Sequence, residues 1–471
     1  MRNIILVASC VLCLAAVATA DDRPNIMIIL ADDLGYGDIS LHGCTDIPTP
    51  NIDSIAHQGA RFTNGYSSHP YCSPMRAGLM TGRYQHRFGY TKNVAYDPHN
   101  AVLGLPTTQT TIAQRLHDAG YATGMVGKWH LGAHANFHPR NRGFDDFFGF
   151  LGGGHDYFVV DTTRPLRENY QAPLDKNGIG TGLDQYLTTE LTDHALKFID
   201  DHADHPFFMY VAYNAPHTPL QAPDEKLEQF ASITAKKRRT YAAMVSSMDD
   251  QIGRLLRRLD QHDLSENTLV FFLSDNGGPE NANASDNGPL RGQKGDVHEG
   301  GIRVPFLMRY PAAIQPGTVI DTPVISLDVS TTALAVADAD QDATLDGVNL
   351  IDRLTGKVPF DSQRELFWLS ATNPKTGKMA VRRGAIKLSR FDGKAHLYNL
   401  DDDLGETNDL FEQDTTTAQS LNHAFGLWSS QNQPTIFPSY STYHRLLKEF
   451  HESVKASTMQ SEPPPSEMID P

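Results

Sequence analysis

Apolar residues recur along this chain in two rhythms. Nearly unbroken apolar runs at Asn25–Leu30 (NIMIIL), Tyr121–Val126, Phe207–Tyr213 (FFMYVAY) and Thr268–Leu273 (TLVFFL) predict strands covered on both faces. Between them the spacing lengthens to a helical period. Asn51–His57 carries Ile52, Ile55 and Ala56 and stops at Gly59. Thr111–Ala119 places Ile112 and Leu116 on one face and closes on Gly120. Tyr241–Leu259 sets Tyr241, Met244, Val245, Met248, Ile252, Leu255, Leu256 and Leu259 in one buried stripe. Strands alternating with helices predict an α/β fold, a large mostly parallel sheet with helices on both faces.

The texture changes near Asp346. RELFWL, MAVRRGAIKLSRF and HLYNL alternate like short half-exposed strands and predict a small antiparallel sheet, followed by a helix around Tyr443–Val454. Residues 21–345 thus form one large domain and 346–455 a smaller α+β subdomain. The Pro- and Ser-rich stretch 456–471 reads as a disordered tail. At the other end, Arg2 precedes an apolar run that closes on Ala18-Thr19-Ala20. Residues 1–20 therefore read as a signal peptide, and the protein as exported to a periplasm or secreted. No later run is long enough to span a bilayer, so no stable membrane insertion is expected.

Charge narrows the partners. The 471 residues hold 40 Lys and Arg against 56 Asp and Glu, a net −16 with neutral histidines, which argues against a nucleic-acid partner. Removal of the signal takes Cys10 and Cys13 and leaves Cys44 and Cys72, too few for a disulfide-stapled scaffold.

Against this acidic background, the residues just past each strand are informative, because open parallel sheets bind ligands beyond the carboxyl ends of their strands. Asp32-Asp33 comes after the first strand, Lys128-Trp129-His130 after the second, Asn214-Ala215-Pro216-His217 after the third and Asp275-Asn276 after the fourth. Asp32, Asp33, Asp275 and the amide oxygen of Asn276 are hard donors that suit Ca²⁺ or Mg²⁺. Arg76, Lys128, His130, His217 and Lys294 suit an anionic group with several oxygens, such as a sulfate or phosphate. Cys72, in YCSPMRAGLMTGR, is open to two readings, a thiolate nucleophile or an inert buried cysteine. Neither explains Pro74 and Arg76 at their fixed distances from it.

CSPMRAGLMTGR resembles the sulfatase signature Cys-x-Pro-x-Arg followed by Thr-Gly. ADDLGYGD at 31–38, GKWHLG at 127–132, APHTPLQ at 215–221, SDNGG at 274–278 and LRGQKGDVHEGGIRVP at 290–305 match the family's other blocks in order. DGVNL and HLYNLDDDLGETNDL look like its C-terminal subdomain. The resemblance implies an alkaline-phosphatase-like fold. It also implies sulfate ester hydrolysis through a formylglycine (3-oxoalanine) made from Cys72 by a formylglycine-generating or sulfatase-maturing enzyme. Ca²⁺ would be held by Asp32, Asp33, Asp275 and Asn276, with the residue at Cys72 touching the ion. The hydrated aldehyde would supply a hard oxygen nucleophile, with Asp275 accepting a proton and His217 or Lys294 attending the leaving alcohol. Arg76, Lys128 and Lys294 would hold the sulfuryl oxygens and the diol, and His130 would deprotonate the second hydroxyl so that sulfate leaves. APHTPLQAP resembles the N-acetylgalactosamine-4-sulfatase branch and its bacterial polysaccharide relatives, which implies a sulfated carbohydrate substrate. Within GGGHDYF, His155 and Asp156 are candidates to contact a sugar, a structural turn being the competing reading. Arg382 is a candidate for an anionic sugar, a solvated arginine the competing one. Two alternatives to sulfate hydrolysis share the fold: a phosphomonoester or phosphonate ester hydrolase, and an inactive glycan-binding homologue. A nucleotide pyrophosphatase-like phosphodiesterase would need two zinc sites and a Thr or Ser nucleophile.

Overall fold

The computed structural model describes residues 22–161, 170–370, 377–391 and 393–438, with 442, 445 and 452. The signal sequence expected at 1–20 and the disordered tail expected at 456–471 lie outside the described residues, as does nearly all of the helix expected at Tyr443–Val454.

Among the described residues, ten strands form one sheet in the spatial order Thr318–Ile320, Ala60–Phe62, Phe306–Arg309, Thr268–Ser274, Asn25–Ala31, Phe207–Ala212, Ala122–Lys128, Asp146–Phe150, Leu174–Lys176 and Ile179–Thr181. The five central strands, from Thr268–Ser274 to Asp146–Phe150, run parallel. Phe306–Arg309 is antiparallel to both neighbours, and a hairpin of the last two strands closes the opposite edge. Alternation along Asn25–Ala31 divides the core. Met27, Ile29 and Ala31 pack with helices Pro50–His57, Leu187–Asp201 and Lys236–Gln261. Ile26, Ile28 and Leu30 pack with Cys72–Thr81, Ile112–Asp118 and Leu327–Val336. Both faces are therefore dry, which is why this strand reads as a continuous apolar run.

Four antiparallel strands, Glu365–Ser370, Lys378–Arg383, Ile386–Phe391 and Lys394–Asn399, form a separate small sheet in sequence order. Helix Thr415–Ser429 covers it, with Leu421, Phe425 and Trp428 sharing a core with Phe367, Val381 and Leu388. The same core includes Tyr66, Val297 and Ile302, so the small sheet packs onto loops that lead to the carboxyl rim of the large one. This helix was not legible in the sequence. It opens on three threonines, poor helix formers, and is set by Asp414, whose side chain accepts a hydrogen bond from Thr417 N.

Candidate active site

Strand register brings the predicted polar residues together. Ala31 pairs with Ser274, Leu30 with Ala212, and Ala212 with Gly127. Asp32-Asp33, Asp275-Asn276 and Lys128 therefore emerge side by side at the carboxyl rim. Asp33 sits at φ 67°, a left-handed conformation that Asp tolerates better than most residues. This turn lets two sequence neighbours reach one point. Ligand atoms of Asp32, Asp33, Cys72 and Asp275 all lie within 4.8 Å of one another.

Cys72 is the first residue of helix Cys72–Thr81, which is buried along its whole length. Its place there accounts for the spacing that the sequence left unexplained. Pro74 falls in the first turn, where the missing N–H has no partner to lose. Arg76 falls one turn beyond Cys72 on the same face. From there the Arg76 guanidinium reaches Asp275 Oδ2 through Nη2 at 2.8 Å and Nε at 3.2 Å, and the Lys128 carbonyl through Nη1 at 3.0 Å. Cys72 and Cys44 are both free thiols.

Cations and carboxylates interleave. Lys128 Nζ is 2.5 Å from Asp32 Oδ2, and Arg76 Nη2 is 3.5 Å from the same oxygen. Lys294 Nζ lies 2.6 Å from Asp33 Oδ1 and 3.1 Å from Cys72 Sγ, while His217 Nε2 is 3.7 Å from Asp33 Oδ2. Burial alone would raise all three carboxyls. Arg76, Lys128 and Lys294 overcome it at Asp275, and Lys294 and His217 do so at Asp33, holding both below the usual range. At Asp32 burial and the neighbouring Asp275 win, and its carboxyl is raised. Burial, with Asp275 next, pushes the Cys72 thiol up to about 12. Burial holds His130 well below its ordinary value, and Lys128 and Arg76 add to this. His130 Nε2 is 3.2 Å from the Val94 carbonyl, which only accepts, so that nitrogen carries the proton and Nδ1 keeps a lone pair without a partner. The Asn276 Oδ1 acceptor is likewise buried and unpartnered, while its Nδ2 donates to Asp33 Oδ1 at 2.7 Å.

The sulfatase family model matches residues 24–339, which include every residue of this rim. The chain belongs to the sulfatase family. A second model, N-sulphoglucosamine sulphohydrolase C-terminal, matches residues 293–426. Arylsulfatase J of Mus musculus is 37% identical over 345 residues, covering 71% of this chain and 56% of that protein. N-acetylgalactosamine-6-sulfatase of Homo sapiens is 36% identical over 358 residues, covering 71% and 66% respectively. The chain thus spans less than two thirds of the length of these two relatives. The crystal structure of Ps i-CgsB in complex with k-i-k-neocarrahexaose superimposes with a TM-score of 0.84 at 36% identity, covering 92% of this chain and 100% of that one.

In this sulfatase-family chain a cavity of about 490 Å³ opens against the rim, lined by Cys72, His130, His217 and Lys294. His155 lines it too, with both ring nitrogens against main-chain carbonyls, Nδ1 at 2.6 Å from Asp156 O and Nε2 at 2.8 Å from Ala172 O. Asp156 is turned elsewhere. It accepts from Phe158 N and Val159 N at 2.9 Å each and from Gln221 Nε2 at 3.0 Å, the bonding of a structural turn. Arg382 is neither solvated nor at the cavity. It is 2% exposed and binds Asn64 Oδ1 at 2.9 Å, the Gly384 carbonyl at 2.7 Å and the Tyr66 hydroxyl. Its short alternating strand looked half-exposed, and only the packing of the small sheet on the large one buries it. Tyr96, Tyr170 and Asp175 also line the cavity and carry no sequence motif. Tyr170 and Asp175 have one signal, the long stretch between Phe150 and helix Leu187–Asp201, the kind of segment that carries binding residues.

Proposed function

We propose that this chain hydrolyses a sulfate ester on a carbohydrate, with water yielding the alcohol and sulfate, using formylglycine at position 72 and Ca²⁺. One observation carries the reading: in a sulfatase-family chain, a buried cysteine whose thiol is too basic to act as a thiolate stands among three carboxylates and three cations. The charges of Asp32, Asp33 and Asp275 balance those of Arg76, Lys128 and Lys294. A divalent cation then leaves the site positive, the sign an anionic ester requires.

The residues present fit such an ion. Asp32, Asp33, Asp275 and the unpartnered Asn276 Oδ1 are hard oxygen donors, and a cation there offsets the burial and the Asp275 repulsion that raise Asp32. When bound, the ion neutralises charge at the sulfuryl group, and the hydrated aldehyde carbon provides a hard oxygen nucleophile. The chain's own groups do the rest. Lys128, Lys294 and Arg76 hold sulfuryl oxygens, Asp275 accepts a proton, and His217 or Lys294 delivers one to the leaving alcohol. His130, neutral and with a free Nδ1, serves as the base that returns the aldehyde. The exported location and the maturing enzyme that installs the aldehyde belong to the same proposal. Among the described residues, no helix is long and apolar enough to cross a membrane.

The test is turnover of 4-nitrophenyl sulfate against the matching phosphate and phenylphosphonate, followed by a panel of sulfated galactose and N-acetylgalactosamine derivatives. The sulfate is expected to be the preferred aryl ester, and His217→Ala to lower kcat on it by about 10²–10⁴-fold. Preference for the phosphate or phosphonate overturns the reading. Chelation by EGTA is expected to lower the melting temperature, because losing an ion held at about 100–1,000 times its dissociation constant removes about 3–4 kcal/mol. Added Ca²⁺ restores it, and a melting temperature indifferent to both speaks against the metal.

A further inference from the structure

The charge of the cavity is lopsided. Among the described residues that line it, Lys294 is the only lysine or arginine, and its Nζ is committed to Asp33 at 2.6 Å and Cys72 at 3.1 Å. The lining histidines are similarly engaged. His155 has both nitrogens on carbonyls, His130 has Nε2 on Val94 O, and His217 has Nδ1 2.6 Å from Thr218 O. The remaining charged group on the wall is a carboxylate, Asp175.

The hairpin Leu174–Thr181 fixes that carboxylate in place. Gly178 N donates to Asp175 Oδ1 at 2.6 Å, and His138 Nε2 lies 3.2 Å from Oδ2. His138 Nδ1 accepts from Arg140 N at 3.2 Å, so the ring carries its proton on Nε2, and a neutral imidazole satisfies both contacts. Lys176, the next residue along the strand, alternates to the opposite face.

The rest of the wall is uncharged and suited to a sugar ring. Tyr96, Phe150 and Tyr170 supply aromatic surface, and Gly152-Gly153-Gly154 a stretch without side chains. A β-carbon at Gly153 would stand 3.0 Å from His130 Nε2, and one at Gly154 3.0 Å from the Tyr170 ring and 3.2 Å from His217 Cε1. The glycines therefore keep the space beside both histidines open.

We propose, building on the sulfatase reading, that the pocket admits a sugar ring whose only anionic group is the scissile sulfate, and that Asp175 rejects rings bearing a second sulfate or a carboxylate. Among the described residues no free cation stands on the wall, and a second anion there meets the negative charge of Asp175. Selectivity arises from this repulsive element, not from an added attraction.

The experiment is competitive inhibition of 4-nitrophenyl sulfate turnover by galactose 4-sulfate, galactose 6-sulfate and galactose 4,6-disulfate. The tighter monosulfate is expected to bind wild type at least about tenfold better than the disulfate, a like-charge effect in a partly desolvated site. Asp175→Asn keeps an oxygen for Gly178 N and is expected to bring the ratio near unity. A disulfate that binds wild type as well as the monosulfates, no competition by any of the three, or an unchanged ratio in the variant overturns the proposal. If the variant does not accumulate, the wild-type ratio decides alone. Wild type that carries the aldehyde yet leaves 4-nitrophenyl sulfate intact fails the sulfatase reading and this one together. Turnover without discrimination fails this one only.

Discussion

Replacing Cys72 with alanine is expected to reduce 4-nitrophenyl sulfate turnover by a factor on the order of 10⁶, the scale of deleting a nucleophile outright. The argument rests on what the thiol cannot do. With its ionisation pushed up to about 12, only about one molecule in 10⁴–10⁵ holds a thiolate near neutral pH. A thiolate is also a soft nucleophile, and the sulfur of an ester is a hard centre. Wild-type protein whose Cys72 remains a thiol, as read from the mass of the peptide around it, is therefore expected to be as inactive as the alanine variant. Activity across preparations should track the aldehyde fraction in proportion. The substitution removes a contact of 3.1 Å to Lys294 and one of 3.7 Å to Asp32 but keeps the helix, in which alanine is the best former. The variant should therefore stay folded. Activity retained by Cys72→Ala, or independent of the aldehyde fraction, removes the nucleophile from this position.

The rim was legible in the sequence because strand ends are a periodic feature. Once Asn25–Ala31 and Thr268–Ser274 are read as buried strands, Asp32 and Asp275 come directly after them, and parallel pairing places them together. The cavity was much less legible. Tyr170 lies in the long connection after Phe150 and Asp175 in the three-residue edge strand that follows it, and neither stretch has an apolar period to mark it. Asp156 and Arg382 show the limit from the other side. Each is a polar residue in a plausible segment, and only the positions of Gln221 and Tyr66, distant in sequence, reveal that their hydrogen bonds are spent internally. Helix Thr415–Ser429 escaped because its stability comes from packing on the small sheet, not from its own propensity.

Replacing Lys387 with methionine is expected to destabilise the protein by about 3–5 kcal/mol, read as a lowered urea midpoint, because it removes the ammonium shared by two buried carboxylates. Lys387 is fully buried, and its Nζ lies 2.8 Å from Glu299 Oε1 and 3.0 Å from Glu406 Oε1. The second oxygen of Glu299 accepts from the Tyr66 hydroxyl at 2.6 Å, with Arg303 Nη1 at 3.4 Å and Arg382 Nη1 at 3.9 Å. Burial would raise Glu299, but Lys387, then Arg382 and Arg303, hold it at about 2 against an ordinary 4.5. A carboxyl held low adds stability above pH 4.5 that is lost as pH falls toward 2. The gap between wild type and variant is therefore widest at neutral pH and narrows through that window. Glu406, which burial raises, takes up a proton in the variant. Adding Glu406→Gln to Lys387→Met recovers part of the loss, because the carboxylate left without a cation is removed while Glu299 keeps Arg303 and Arg382. The cluster also bears on the rim. Glu406 Oε2 accepts from Glu299 N at 2.7 Å and the Glu406 carbonyl accepts from Arg291 Nη1 at 2.8 Å, so one residue of the small sheet's side grips the Lys294 loop on both flanks. Turnover is accordingly expected to fall in the single variant at temperatures where it remains folded. An unchanged urea midpoint, or a stability gap that does not narrow in acid, shows that the ammonium at 387 is not what holds these carboxylates in the interior.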